Sequence, residues 1–256
     1  MHNRIVSRDE WLAAREQHLS REKELTRLRD QLSAERRELP WVKVDKRYVF
    51  DGPDGRQTLA DLFAGRSQLV VYHFMFGPGW AEGCPSCSWA ADGFDANLVH
   101  LNGRDVSFVA VSRAPLAQIQ AFQKRMGWRF PWVSSHDTDF NRDYHVSFTP
   151  EEMAKGDAYY NFANNGFPSE EAPGVSVFYK DEKGDVFHTY STYARGGEPM
   201  LAAYFFLDLV PKGRDEARLP FTMAWVRHHD RYVDSASAHP CAEAAESCCE
   251  ADAAHA

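Results

Sequence analysis

Leu69-Val70-Val71-Tyr72-His73-Phe74-Met75-Phe76, then Gly77-Pro78-Gly79-Trp80-Ala81-Glu82-Gly83, then Cys84-Pro85-Ser86-Cys87 follow one another without a break, and their joint reading decides the fold. The first run is of strand length and almost wholly apolar, which suits a central strand covered on both faces. The second is a glycine- and proline-rich loop. The third opens a helix. Pro85 suits the first helical position, where a missing amide hydrogen costs nothing. Phe94, Leu98 and Leu101 then share a helical face that ends at Asn102-Gly103.

The same stretch carries the chemistry. Cysteine reacts as the thiolate, and a cysteine at a helix start lies beside unpaired amides and the positive end of the helix dipole. Such sites lower a thiol pKa from ~8.5 to ~3.5–7.5. Cys84 is therefore the expected nucleophile. Cys87, one turn deeper, is the expected resolving thiol, placed to attack a mixed disulfide on Cys84 and release the substrate. Zinc sites share the C-x-x-C spacing, but structural zinc needs a second ligand pair. The remaining cysteines, Cys241, Cys248 and Cys249, all fall near the C-terminus. Inert burial of the pair is the other alternative.

Outward from this centre the pattern stays legible. Ser7-Arg8-Asp9-Glu10 matches a capping box. Trp11, Leu12, Leu19, Leu25, Leu28 and Leu32 recur at roughly helical spacing beyond it, too irregularly for a coiled coil. Residues 1–40 are read as an amphipathic arm lying on the domain or on a partner subunit. Val42–Val44 and Tyr48–Phe50 read as short strands, Thr58–Phe63 as a short helix and Val106–Val111 as another apolar strand. Pro115 opens a helix with Leu116, Ile119, Phe122 and Met126 on one side. Val175–Tyr179 and Val186–Tyr190 form a hairpin across Asp181-Glu182-Lys183-Gly184. Pro199–Leu209 reads as a last helix. Residues 235–256 are alanine- and acid-rich and are expected to form a mobile tail.

Strand, helix, strand, helix, hairpin and helix is the order of a thioredoxin-like α/β fold of three layers, here assigned to residues 41–234. That order makes Pro173 the candidate for the cis-proline such folds place opposite the C-x-x-C, where its backbone contacts an incoming chain. Gly174 after it is unusual for the position. Trp80, Pro85 and Ser86 join Pro173 as expected substrate contacts, Trp80 as a wall of the site. His73 is read as a hydrogen-bonded core histidine and Trp89 as core. Tyr190–Gly196 is polar and aromatic enough to line a pocket.

The runs at 70–94 (VVYHFMFGPGWAEGCPSCSWAADGF), 109–128 (VAVSRAPLAQIQAFQKRMGW), 131–135 (PWVSS) and 173–198 (PGVSVFYKDEKGDVFHTYSTYARGGE) occur in this order. From about residue 5 to about residue 232 the chain resembles a bacterial family catalogued as domain of unknown function 899, predicted dithiol–disulfide isomerases. The resemblance implies a thioredoxin-like fold and a working C-x-x-C; it implies no substrate. Likeness to peroxiredoxins is weaker. Their P-x-x-x-T-x-x-C pattern would need threonine and proline where Ala81 and Gly77 stand before Cys84, or where Cys84 and Trp80 stand before Cys87.

Composition bounds the remaining classes. A 44% hydrophobic content argues for a folded protein, and a net charge of −8 without a basic stripe argues against nucleic acid. No stretch approaches the ~18–20 apolar residues of a membrane span. Residues 1–7 lack the apolar core of a secretory signal, so a cytoplasmic setting is expected. The expected function is thiol–disulfide oxidoreductase or isomerase acting on a thiol or disulfide protein or small molecule, with no cofactor and no metal. Homo-oligomerisation through the N-terminal helix is expected to be open to it. A thiol-dependent peroxide reductase, a copper- or zinc-binding thiolate module using His239, Cys241, Cys248, Cys249 and His255, and a chemically inert interaction protein are the alternatives.

Overall fold

The computed structural model describes residues 3–164 and 166–232. Tail residues 235–256, with Cys241, Cys248 and Cys249, lie outside the described residues. The chain begins with α1 (Arg8–Arg37), whose capping box forms as the sequence indicates: Ser7 Oγ accepts from the Glu10 amide, and the Glu10 carboxylate accepts from the Ser7 amide. No residue of α1 is buried. Its C-terminal turn reaches back to the domain through the Arg36 guanidinium, 4.7 Å over the Tyr190 ring.

Next come β1 (Val42–Lys43), β2 (Val49–Gly52), β3 (Gly55–Thr58), β4 (Gln68–His73), α2 (Pro85–Ala91), α3 (Phe94–Asn102), β5 (Val106–Ser112), α4 (Leu116–Arg125) and β6 (Trp132–Ser134). Short α5 (Phe140–Asp143), α6 (Pro150–Lys155), β7 (Tyr159–Tyr160) and β8 (Ala163–Asn164) lead to β9 (Gly174–Lys180), β10 (Val186–Tyr193) and α7 (Ala202–Leu209). The 8-stranded sheet has the order β1-β10-β9-β4-β5-β6-β2-β3. At its centre β4 runs parallel to β5 and antiparallel to β9, which turns back as β10. A parallel β-α-β unit joined edge to edge with an antiparallel hairpin and a following helix is the thioredoxin-like arrangement.

The period of two along β4 divides the core. Val70, Tyr72 and Phe74 enter the layer beneath α2, α3 and α4, with Phe94, Phe108, Ile119 and Trp132. Leu69 and Val71 enter the opposite layer, with Phe50, Phe63, Val109, Phe140 and Phe178. The continuous apolarity of this strand thus answers to burial on both sides.

Two expected helices resolve differently. Thr58–Phe63 is the end of β3 followed by a single tight turn at Asp61–Phe63, because the Asp61 carboxylate accepts from both the amide and the hydroxyl of Thr58 and Ala64 closes the turn at φ 47°. Pro199–Leu209 divides into a tight helical segment at Ala194–Met200, which contains Pro199, and then α7. Among the described residues no helix is long and apolar enough to cross a membrane.

Candidate active site

Cys84 caps α2, with Pro85 in the first turn. Its amide donates to the Met75 carbonyl at 3.0 Å, and its carbonyl accepts from the amide and hydroxyl of Ser88 at 2.9 Å each. These bonds fix the elbow between the strand and the helix and leave the sulfur facing the first-turn amides. The Cys87 thiol, the Cys87 and Ser86 amides and the Ser86 hydroxyl stabilise the Cys84 thiolate against the cost of burial, bringing its pKa down to about 7. Cys87 is buried. Burial, followed by the neighbouring Cys84, pushes its thiol well above the ordinary range, opposed by the Tyr72 hydroxyl and the Met75 amide. One helical turn therefore holds a partly exposed acidic thiol and a buried, strongly protonated one.

Tyr72 was not among the expected site residues. It lies on β4 in the same apolar layer as Cys87, and its hydroxyl favours the Cys87 thiolate. The signal for it is the alternation that sends Tyr72, and not His73, toward α2. His73 is the core residue expected: fully buried, its Nε2 meets Ser176 Oγ at 2.8 Å, and burial lowers its pKa to about 3.

Cys84, Ser86 and Cys87 open onto a cavity of about 570 Å³. Pro173 and Gly174 line it, and the end of β10 and the residues after it add Thr192, Tyr193, Ala194 and Arg195. The expected cis bond before Pro173 is not found, since every described peptide bond is trans. Trans is the commoner X–Pro form, and here the Ala172 amide donates to the Val146 carbonyl at 2.9 Å and Tyr160 Oη donates to the Pro173 carbonyl at 2.7 Å on the approach to β9. Gly174 has a steric reason: a Cβ there would sit 2.7 Å from the Tyr193 ring and 3.2 Å from Val146.

Trp80 and Pro85 stand outside the cavity wall. The Trp80 indole nitrogen donates to Glu170 at 2.7 Å. Trp89 is half-buried, with Tyr204 and Trp225 edge-on at 4.8 and 5.2 Å. Among the described residues no three His, Cys, Asp or Glu side chains gather as metal ligands.

Two supports around the site were not foreseen. Glu171, only 1% exposed, accepts from Arg113 at 2.7 Å and from the Ser147 hydroxyl at 2.6 Å, just before Pro173. Burial pushes its carboxyl up to about 7, against both partners. On the other side the segment after α7 grips the loop before Cys84. Buried His228 Nε2 donates to the Gly83 carbonyl at 2.8 Å, and Glu82 accepts from Arg125 at 2.8 Å and Arg231 at 2.7 Å.

The solved structures similar to this chain include a peroxiredoxin Q variant from Xylella fastidiosa, at 15% identity and TM-score 0.41, covering 62% of this chain and 88% of that one. Peroxidoxin BcpB from Mycobacterium tuberculosis aligns at 13% identity and TM-score 0.43, over 64% and 97% of the two chains. A candidate protein disulfide isomerase from Bacteroides thetaiotaomicron aligns at 16% identity and TM-score 0.36, over 70% and 97%. Among curated proteins none matches. The family described as "Bacterial protein of unknown function (DUF899)" matches residues 1–232, nearly the whole described chain, and this protein belongs to it.

Proposed function

We propose that this protein is a thiol–disulfide oxidoreductase in which Cys84 attacks and Cys87 resolves. The observation that supports this reading most directly is the opposite tuning of two cysteines one turn apart, Cys84 lowered to about 7 and open to a cavity, Cys87 raised and buried. The Cys84 thiolate attacks one sulfur of a disulfide R–S–S–R′, the S–S bond breaks, and R′S⁻ leaves and takes a proton. Cys87 stays protonated until Cys84 is consumed. Losing the neighbouring thiolate removes one cause of its raised pKa, and its thiolate then attacks the Cys84 sulfur and releases RS⁻. The substrate has gained two electrons, the enzyme holds a Cys84–Cys87 disulfide, and an external dithiol reduces it back. A reducing compartment such as the cytosol suits this cycle.

Reduction of hydroxyethyl disulfide driven by dithiothreitol tests it. The wild type is expected to accelerate the reaction, Cys84→Ser to fall to the uncatalysed background, and Cys87→Ser to accumulate a mixed disulfide on Cys84. A Cys84→Ser protein as fast as the wild type would overturn the proposal.

A further inference from the structure

Resting on that reading, we infer that the cavity beside Cys84 selects a small disulfide with an apolar body, in preference to a polyanionic thiol compound or the disulfide of a folded protein. Apart from the cysteines, its wall is mainly hydrophobic: Met75, Val175, Met200, Leu201, Tyr204 and Met223 face the space. Its volume of about 570 Å³ is within the range of ~300–1,000 Å³ that encloses small ligands.

The charged groups at the rim are already committed to one another. Glu198 accepts from Arg195 at 2.8 Å and from Arg214 at 3.3 Å, while Arg214 also bonds Asp208 at 2.8 Å and stacks 3.7 Å over the Tyr204 ring. A carboxylate on a ligand would have to compete with Glu198 and Asp208 for these guanidinium groups. Apolar surface has no such cost.

The wall facing the cysteines is also fixed in place. Glu216 accepts from Tyr204 Oη at 2.8 Å, from the Trp225 indole at 2.6 Å and from the Met223 amide at 3.0 Å. The same segment continues to His228, bonded to Gly83. Leu201, Tyr204, Arg214, Thr222 and Met223 of this tied segment therefore line the same cavity as Cys84. A compact apolar group fits in that cavity, whereas a disulfide embedded in a folded surface must displace the segment.

Binding and turnover separate this inference from the redox reading. Dibenzyl sulfide, an unreactive thioether of the proposed shape, is expected to bind saturably and at least about tenfold more tightly than S-methylglutathione. Met200→Gln, which keeps side-chain size but adds an amide, should weaken dibenzyl sulfide about fivefold, and Met200→Leu should not. In turnover, dibenzyl disulfide should outpace both glutathione disulfide and insulin. Equal or tighter binding of S-methylglutathione, the absence of saturable dibenzyl sulfide binding, or faster reduction of insulin would overturn the inference. Binding as expected with no Cys84-dependent turnover would instead overturn the redox reading and leave the ligand class standing.

Discussion

Iodoacetamide is expected to alkylate Cys84 in the Cys87→Ser protein with a rate midpoint near about 7, and to leave Cys87 in the Cys84→Ser protein almost untouched at that pH. A thiol at its midpoint is half thiolate, while one titrating above ~9 holds under ~1%, so the rates at pH 7 should differ at least ~50-fold before access is counted. Burial of Cys87 widens the gap. The largest cause acting on Cys84 is the Cys87 thiol, and a serine hydroxyl still offers a hydrogen there. Cys87→Ala offers none, and its midpoint should rise above that of Cys87→Ser. Glu82, close in sequence and of the wrong charge to favour a thiolate, is held by Arg125 and Arg231, which mute its repulsion. If Cys87 reacts first, the assigned roles are reversed.

Removal of Arg113 is expected to produce the largest loss of stability. It would leave Glu171 buried with the Ser147 hydroxyl as its remaining side-chain partner, and breaking a buried ion pair from one side costs about 3–5 kcal/mol. The pH dependence identifies the cause. The folded carboxyl sits at about 7 and an unfolded one at ~4.3, so the folded state binds the proton more tightly. That contribution is fully present below ~4.3 and is lost as pH rises through about 7. Denaturant midpoints of Arg113→Ala should therefore fall far more at pH 8, where Glu171 is charged, than at pH 5, where it is protonated. Glu171→Gln should flatten the slope across that window. Equal loss at both pH values would show that Arg113 acts through packing alone.

These two expectations rest on features that differ in how well the sequence displays them. The strand Gln68–His73, the cysteine turn and the helix after it are punctuated locally by apolar continuity, glycine and proline. The hairpin Gly174–Tyr193 is equally local. The Arg113–Glu171 pair joins residues 58 apart in the chain, and each alone looks like an ordinary loop charge. Tyr72 is hidden by its setting in an apolar strand and emerges once the two faces of that strand are assigned. Pro173 lines the same cavity as the cysteines, and its peptide bond is trans, which the order of elements does not reveal. Residues 210–232 have no period to read. They are held by particular side chains, His228 on Gly83 and Arg231 on Glu82, and their part in walling the cavity follows from tertiary contacts.

In the proposed cycle Cys84 and Cys87 alternate between dithiol and disulfide. Equilibration of the full chain across a series of reduced-to-oxidised dithiothreitol ratios, followed by acid quench, alkylation and peptide mass mapping, measures this directly. One peptide species linking Cys84 to Cys87 is expected, appearing with a single two-electron midpoint and absent from Cys84→Ser and Cys87→Ser. Both cysteines carrying the alkyl label at every ratio, or Cys84 linked instead to another cysteine of the chain, would contradict it.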